Sequence, residues 1–350
     1  MKPPSPPGEG GFLCSGKVFK MISYLIRRIW QGLIVLLGVT FITFFLPAFF
    51  HNNLARQILG MKAPQFLIDK FNHKYGFDQP IFVQYLQYLN RLVHGDLGVS
   101  FAPDQVGVPV TQLIGSAIWR SMWLALVSLT LALLIAIPLG IYQAYRHNKV
   151  FDYVATGIIF ILYSTPAFLL SILLMMGFSF HWHIFPESVP LANGNNQTFF
   201  GALWSMLSDP RGYALPVMVL TLLSLGGITR FMRGSFLDTL VQDYIRTAKA
   251  KGAGNVRILF RHAFRNAVIP IVTILGLSLP GLFGGALITE TIFNFDGMGI
   301  LTVNATRMND ISVVMGATLM FSTLTVIGNI VADLALAAID PRVRLGGKSR

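Results

Sequence analysis

Six stretches of this chain contain no Asp, Glu, Lys or Arg: 29–50, 121–145, 153–180, 212–229, 266–289 and 311–332. A helix needs roughly 20 apolar residues to cross the hydrocarbon of a bilayer. Stretches of this length and purity constrain the fold more than any other feature of the sequence. They predict an all-α integral membrane protein with six transmembrane helices. Composition agrees, with 53% hydrophobic and 12% charged residues among 350, where a soluble domain carries about 25% charged residues. The fourth stretch is short, so its helix is expected to run on past Arg230 and Arg233 into the headgroups, where long basic side chains snorkel. Gly and Pro inside the stretches do not disqualify them, because neighbouring helices can satisfy the freed backbone groups.

The net charge of +12 is distributed unevenly. Lys17, Lys20, Arg27 and Arg28 precede the first stretch, and Arg146 and Lys149 separate the second from the third. Arg246, Lys249, Lys251, Arg257, Arg261 and Arg265 crowd between the fourth and fifth, and Arg342, Arg344, Lys348 and Arg350 follow the sixth. By the positive-inside rule these regions are cytoplasmic, which places both termini inside. In a soluble protein the basic run 243–270 would suggest nucleic acid. Here it is a loop between membrane spans, so no nucleic-acid partner is expected. The single cysteine, Cys14, excludes an intramolecular disulfide. No apolar run precedes it as a lipoprotein signal would require. Residues 1–20, Pro- and Gly-rich at their start, are expected to be a disordered cytoplasmic extension, with Met21 as an alternative start. The remaining divisions are 21–110 (first helix and an extracytoplasmic segment), 111–345 (core with a cytoplasmic loop at 239–265) and a 346–350 tail.

The basic loop has an internal pattern. Thr239 and Gln242 have capping-box spacing, which predicts a short helix ending near Lys251. Gly252 is the residue able to turn left-handed and stop it. Asn255 is placed to cap a second helix. Its Val256, Leu259, Phe260, Ala263 and Phe264 form an apolar stripe, with Arg257, Arg261 and Arg265 on another face. A basic amphipathic segment beside a membrane commonly rests on anionic headgroups, and the second helix fits that reading. The first helix alternates small residues with lysines: Thr247, Ala248, Lys249, Ala250, Lys251, Gly252. Small side chains allow close approach, so this helix is expected to lie in the groove of a cytoplasmic protein.

The segments "DYIRTAKAKG" and "RHAFRNAVIP" resemble the cytoplasmic loop of ABC importer permeases of the dipeptide, oligopeptide and nickel group. "YLIRRIWQGLIVLLGVTFITF", "YGFDQPIFVQYLQYLNRLVHGDLGVSF", "IAIPLGIYQA", "YSTPAF", "ITETIFNFDGMGIL" and "AAIDPRVR" match the same family in order. The N-terminal helix and long extracytoplasmic segment resemble the B-type subunit. The chain departs from the general pattern at Arg246-Thr247-Ala248, where Glu-Ala-Ala is usual. "LPAFFHNN" replaces the usual Pro-Gly-Asp after the first helix, and Asp296 stands where Pro is common. The resemblance implies a type I ABC importer permease fold in a bacterial or archaeal cell membrane. It implies as partners a second, C-type permease, two cytoplasmic ATPases and an extracytoplasmic binding protein, with membrane lipid around them. It also implies that Asp243, Arg246, Thr247, Ala248, Lys249, Ala250, Lys251 and Gly252 form an ATPase-docking helix, with Ala248 and Gly252 at closest contact. No cofactor is expected on this chain, since ATP and Mg would sit on the ATPases. The chain has no G-x-x-x-x-G-K-[ST] loop, H-E-x-x-H helix or G-x-S-x-G elbow, so enzymatic chemistry is not expected. Di- or oligopeptides are the expected substrates, with nickel, glutathione-like or glycoside solutes as alternatives. An ion-coupled secondary transporter would need ionisable groups at mid-membrane, which these stretches lack.

Other candidates have plainer readings. Asn329 and Asp333 near the end of the last stretch, and Gly281 and Gly285 beside Pro280, are expected to serve helix packing. His181 and His183 flank Trp182, and two histidines alone make no metal site. Substrate-binding residues cannot be read from the sequence.

Overall fold

The computed structural model describes residues 9–50, 54–60, 62–190, 198–278, 281 and 286–339. The helices, in order, are α1 (Glu9–Phe50), α2 (Leu54–Leu59), α3 (Gln65–Tyr75), α4 (Ile81–Val93), α5 (Val110–Tyr145), α6 (Val150–Ser164), α7 (Ala167–Met175) and α8 (Phe199–Ser208). They continue with α9 (Pro210–Leu240), α10 (Asp243–Ala250), α11 (Asn255–Arg257), α12 (Phe264–Ala267), α13 (Ile269–Ser278), α14 (Leu287–Ile292), α15 (Met298–Arg307) and α16 (Ile311–Ile339). Among the described residues the β pairing is one isolated bridge, Val99 to Pro109. The all-α expectation therefore holds.

Within α1, α5, α9 and α16 lie segments long and apolar enough to cross a membrane. Their outer faces stay apolar and uncovered, as at Trp30 and Ile42 on α1 and Leu134 on α5. Such faces suit lipid rather than water. The span expected at 153–180 is not one helix. It breaks at Thr165–Pro166, where the chain bends by 103°. Thr165, directly before the proline, is extended, as the clash with a proline ring favours. Pro138 and Pro216, by contrast, remain inside α5 and α9. The fifth expected span, 266–289, appears as α12, α13 and α14 with residues 279–280 and 282–285 outside the described set. Pro280 and Gly285, expected at a packing seam with Gly281, also fall outside it. Among the described residues four helices are long and apolar enough to cross a membrane, or five if the bent pair is one span, where the sequence predicted six. The expected disorder of 1–20 is corrected in part: the chain is helical from Glu9 onward. No proline follows Pro7 in that stretch to stop the helix.

The centre is the pair α5 and α9, which run parallel. Thr221 donates to the Ser128 carbonyl at 3.2 Å. Further along both helices, a Cβ on Gly140 would lie 2.8 Å from the Met232 Cβ, so glycine sets the approach there. Two parallel helices require the chain to return between them, and the broken pair makes that return. Asp152 at the start of α6 pairs with Arg233 on α9. Tyr163 packs on Gly226. Leu170 on α7 joins Leu124, Tyr213 and Leu215 at the other end. The kinked segment thus runs from the basic end of the molecule to the opposite end.

α1 packs antiparallel to α16, and Arg28 forms a 2.7 Å ion pair with Asp333. Asp333 therefore joins two helices at the basic end, while Asn329 is exposed beside the groove between them. At the far end of α1, Phe41, Phe44 and Phe45 stack with Tyr85 and Tyr88 of α4. Burial pushes the Tyr88 phenol up to about 12, so it stays neutral.

Two buried carboxylates organise that far end. Glu290 accepts from the Ser121 hydroxyl (2.7 Å), Ala286 N (3.1 Å), Gly299 N (2.7 Å) and Ile300 N (3.3 Å). Met298 N donates to the Ser121 Oγ at 2.8 Å. The free N–H groups at the start of α15 are thereby satisfied from two other helices. Gly299 has to be small, since a Cβ would meet the Leu287 Cα at 2.7 Å. Asp310 caps α16 through Val313 N (3.3 Å) and also accepts from the Ser100 hydroxyl, Phe101 N and Ala102 N. The segment before α5 is thus tied to α16. Asp310→Ala would strand these buried donors at about 1–3 kcal/mol for each group left unpaired. It should lower the thermal unfolding midpoint of the purified protein in detergent and open 100–109 to protease. The exposed Asp104→Ala should do neither.

Candidate functional site: the basic docking surface

The basic loop begins where α9 ends. Only Val241 and Gln242 separate α9 from α10, so the short helix is set directly by the long one. The expected capping box is absent. Thr239 is still inside α9, and its hydroxyl donates to the Ser235 carbonyl at 2.8 Å. Gln242 takes the N-cap position, and its amide donates to the Asp238 carbonyl at 3.1 Å. The Thr-x-x-Gln spacing was overridden because α9 continues through it.

The end of α10 follows the sequence reading. Gly252 has φ +77°. Gly252 N donates to the Lys249 carbonyl at 3.0 Å and Ala253 N to the Ala248 carbonyl at 3.1 Å. These are the two bonds of a Schellman turn. Nothing lies within 4 Å of a Cβ built at Gly252, so only backbone conformation demands glycine there.

α10 is held on its inner face alone. Ile245 is 0% exposed and packs with Ile141 and Ala144 of α5, Met232 and Phe236 of α9, and Ile258, Ala263 and Ala267 beyond. Full burial of such a side chain contributes about 1.5–3 kcal/mol. Asn266 donates to the Tyr244 hydroxyl at 2.8 Å, which fixes the flank. The outer face carries Asp243, Arg246, Thr247, Lys249, Ala250, Lys251 and Gly252, all exposed, while Ala248 is half-buried. Arg246 and Asp243 approach to 3.7 Å at high exposure, a geometry that contributes little to stability. The face is a fixed, basic platform without apolar cover.

The second helix differs from its expected pattern. It opens as α11 at Asn255, passes through π turns over Ile258–Ala263 and resumes as α12. The wider turns shift the inward face. Ile258, Ala263 and Ala267 are buried, whereas Val256 and Phe260 are 71% and 61% exposed. Arg257, Arg261 and Arg265 remain exposed beside them. Exposed aromatic and aliphatic groups interleaved with arginines suit a headgroup interface better than an inward stripe would.

Arg233 does not snorkel freely. Its Nε and Nη2 donate to the two Asp152 oxygens, both at 2.7 Å, and Asn148 N and His147 also contact that carboxylate. The pair pins the α5–α6 turn to α9 just before α10. Sequence reasoning missed Asp152, Glu290 and Asp310. Besides nearby backbone groups, Asp152 pairs with Arg233, Glu290 with Ser121 and Asp310 with Ser100, and local spacing carries no signal of those distant contacts. The only hint was that each acid borders an otherwise uncharged stretch. His181 and His183 gain no further ligand: among the described residues no three His, Cys, Asp or Glu side chains cluster as a metal site.

Residues 136–345 match the family model described as binding-protein-dependent transport system inner membrane component, and residues 21–108 match the model of its N-terminal part. The oligopeptide transport system permease protein AppB of Bacillus subtilis is 36% identical over 92% of this chain and 99% of its own. The probable D,D-dipeptide transport system permease protein DdpB of Escherichia coli is 35% identical over 93% and 98%. The glutathione transport system permease protein GsiC of Salmonella choleraesuis is 32% identical over 93% and 99%. A solved chain of the MetNI methionine ABC transporter covers 65% of this chain and 96% of its own, at 15% identity and a TM-score of 0.48. The chain belongs to the family of binding-protein-dependent transport system inner membrane components, as a multi-pass membrane protein.

Proposed function

We propose that this chain is the permease subunit of an ATP-driven importer that carries peptides delivered by an extracytoplasmic binding protein. A second, C-type permease would complete the path, and two separate cytoplasmic ATPases would hydrolyse ATP. The observation that carries this reading is α10, anchored inward by Ile245 and offering an outward face of Arg246, Thr247, Lys249, Ala250 and Lys251. The peptide cargo is supported by the similarity to oligopeptide and D,D-dipeptide transport system permeases.

A nucleotide-driven movement of the ATPases acts on the permease only through differential contact with its two arrangements. α10 is joined to α9 by two residues, and its Ile245 is buried in the cluster that also holds Ile141 and Ala144 of α5. A push on α10 therefore reaches both central helices. The Asp152–Arg233 pair extends the push to α6, whose break at Pro166 lets its two halves move separately.

Gly252→Pro imposes φ near −65° where +77° is required. It should abolish peptide uptake while the chain still reaches the membrane. Normal uptake would remove the docking assignment. Arg246→Glu should reduce the ATPase recovered with the affinity-purified permease several-fold, more so at low salt. Asp152→Ala leaves Arg233 without its carboxylate. It should keep ATPase binding and uncouple it, so that hydrolysis continues with uptake reduced.

A further inference from the structure

A cavity of about 250 Å³ opens at the end opposite the basic loop, walled by α5, α15 and the 102–105 turn. Ser116 and Arg120 reach it from α5, Asn304 from α15, and Asp104 and Asp296 stand at its edge. Arg120 is the unusual group. Its side chain is only 14% exposed. Its Nε donates to the Ser116 carbonyl at 3.0 Å, and Nη1 reaches Asp296 Oδ2 only at 3.5 Å. A guanidinium carries five N–H donors in a planar fork, and this one stands half-buried in the cavity wall. Here one donor is well used, one is stretched, and the others have no hydrogen-bond acceptor among the described residues.

We propose that this cavity is a subsite for the carboxylate end of the transported peptide, with Arg120 as the residue that binds it. The proposal rests on the reading of the chain as a peptide permease and adds a specificity determinant to it. A terminal carboxylate presents two oxygens at the spacing of the guanidinium fork and makes paired, charge-assisted bonds with it. It would replace the stretched contact to Asp296. Released at the edge, Asp296 and the exposed Asp104 offer negative charge to the peptide's ammonium end. The cavity has room for the end of a peptide, so the length of the remainder is not constrained there. Arg120 borders the outer end of a charge-free stretch of α5, where a solute arriving from outside would meet it before entering the apolar region.

The test uses the complete importer purified in lipid without nucleotide, with Cys14→Ser and Asn304→Cys, so that the cavity holds the permease's only thiol. Maleimide labelling of position 304 is followed with alanyl-alanine or alanyl-alanine amide present. The free acid should slow labelling in a saturable way and the amide should not. Arg120→Gln should raise the concentration needed for protection by roughly tenfold or more, the loss expected for a charged hydrogen bond, and Arg120→Lys should retain part of it. Equal protection by acid and amide, or full protection in Arg120→Gln, would overturn the subsite. If Arg120→Gln does not assemble, the acid–amide comparison on the unsubstituted arginine decides alone. Uptake of labelled peptide without acid-selective protection overturns the subsite only. Absence of any peptide uptake overturns the transport reading beneath it.

Discussion

The parallel seam between α5 and α9 is the constraint on which the other elements depend. In a bilayer the surrounding lipid is as apolar as the helices, so packing and interhelical hydrogen bonds must hold them together. The α5 side of the seam carries Ser128, Ala132, Ala136 and Gly140, small, buried and spaced by four. Gly140 meets Met232 and Thr221 reaches the Ser128 carbonyl. Because the two helices run the same way, everything between them must bring the chain back. The α6–α7 break and the α8 connection do so. α10 leaves the seam at one end, and the carboxylate ties close it at the other.

Charge has a different role at each end. At the basic end the cations are mostly spread over exposed faces of α10, α11 and α12, available to a partner or to headgroups. Arg233 and Arg28 are exceptions, each paired with an acid on another helix. At the far end two acids, Glu290 and Asp310, are buried and accept from backbone N–H groups. Glu290 and Asp310 act as helix caps supplied at a distance, favourable next to the positive end of a helix. The result is a stiff far end and a basic end whose binding face is held only from within.

Much of this was legible in the sequence. Charge-free stretches located α1, α5, α9 and α16, and the excess of Lys and Arg marked the basic loop. Gly252 was legible because a left-handed residue is needed to end α10. The capping box at Thr239 and Gln242 was misleading, because local spacing cannot reveal that α9 runs through it. The break at Pro166 was not separable from the tolerated Pro138 and Pro216, which depend on neighbouring helices. The stripe on the second helix assumed a regular turn, and the π turns at Ile258–Ala263 moved Val256 and Phe260 outward. The contacts of Asp152 with Arg233, Glu290 with Ser121, Asp310 with Ser100 and Arg120 with Asp296 were illegible because those partners are distant in sequence.

An ATPase seated on the outer face of α10, as proposed, would lie against Arg246, Lys249 and Ala250. The most direct measurement is cysteine crosslinking along that helix in native membranes, in a chain whose Cys14 is replaced. The account predicts crosslinks to the ATPase from positions 246, 249 and 250, altered by nucleotide, and none from position 93 at the far end. Crosslinks absent from α10 yet formed elsewhere on the basic end would contradict it.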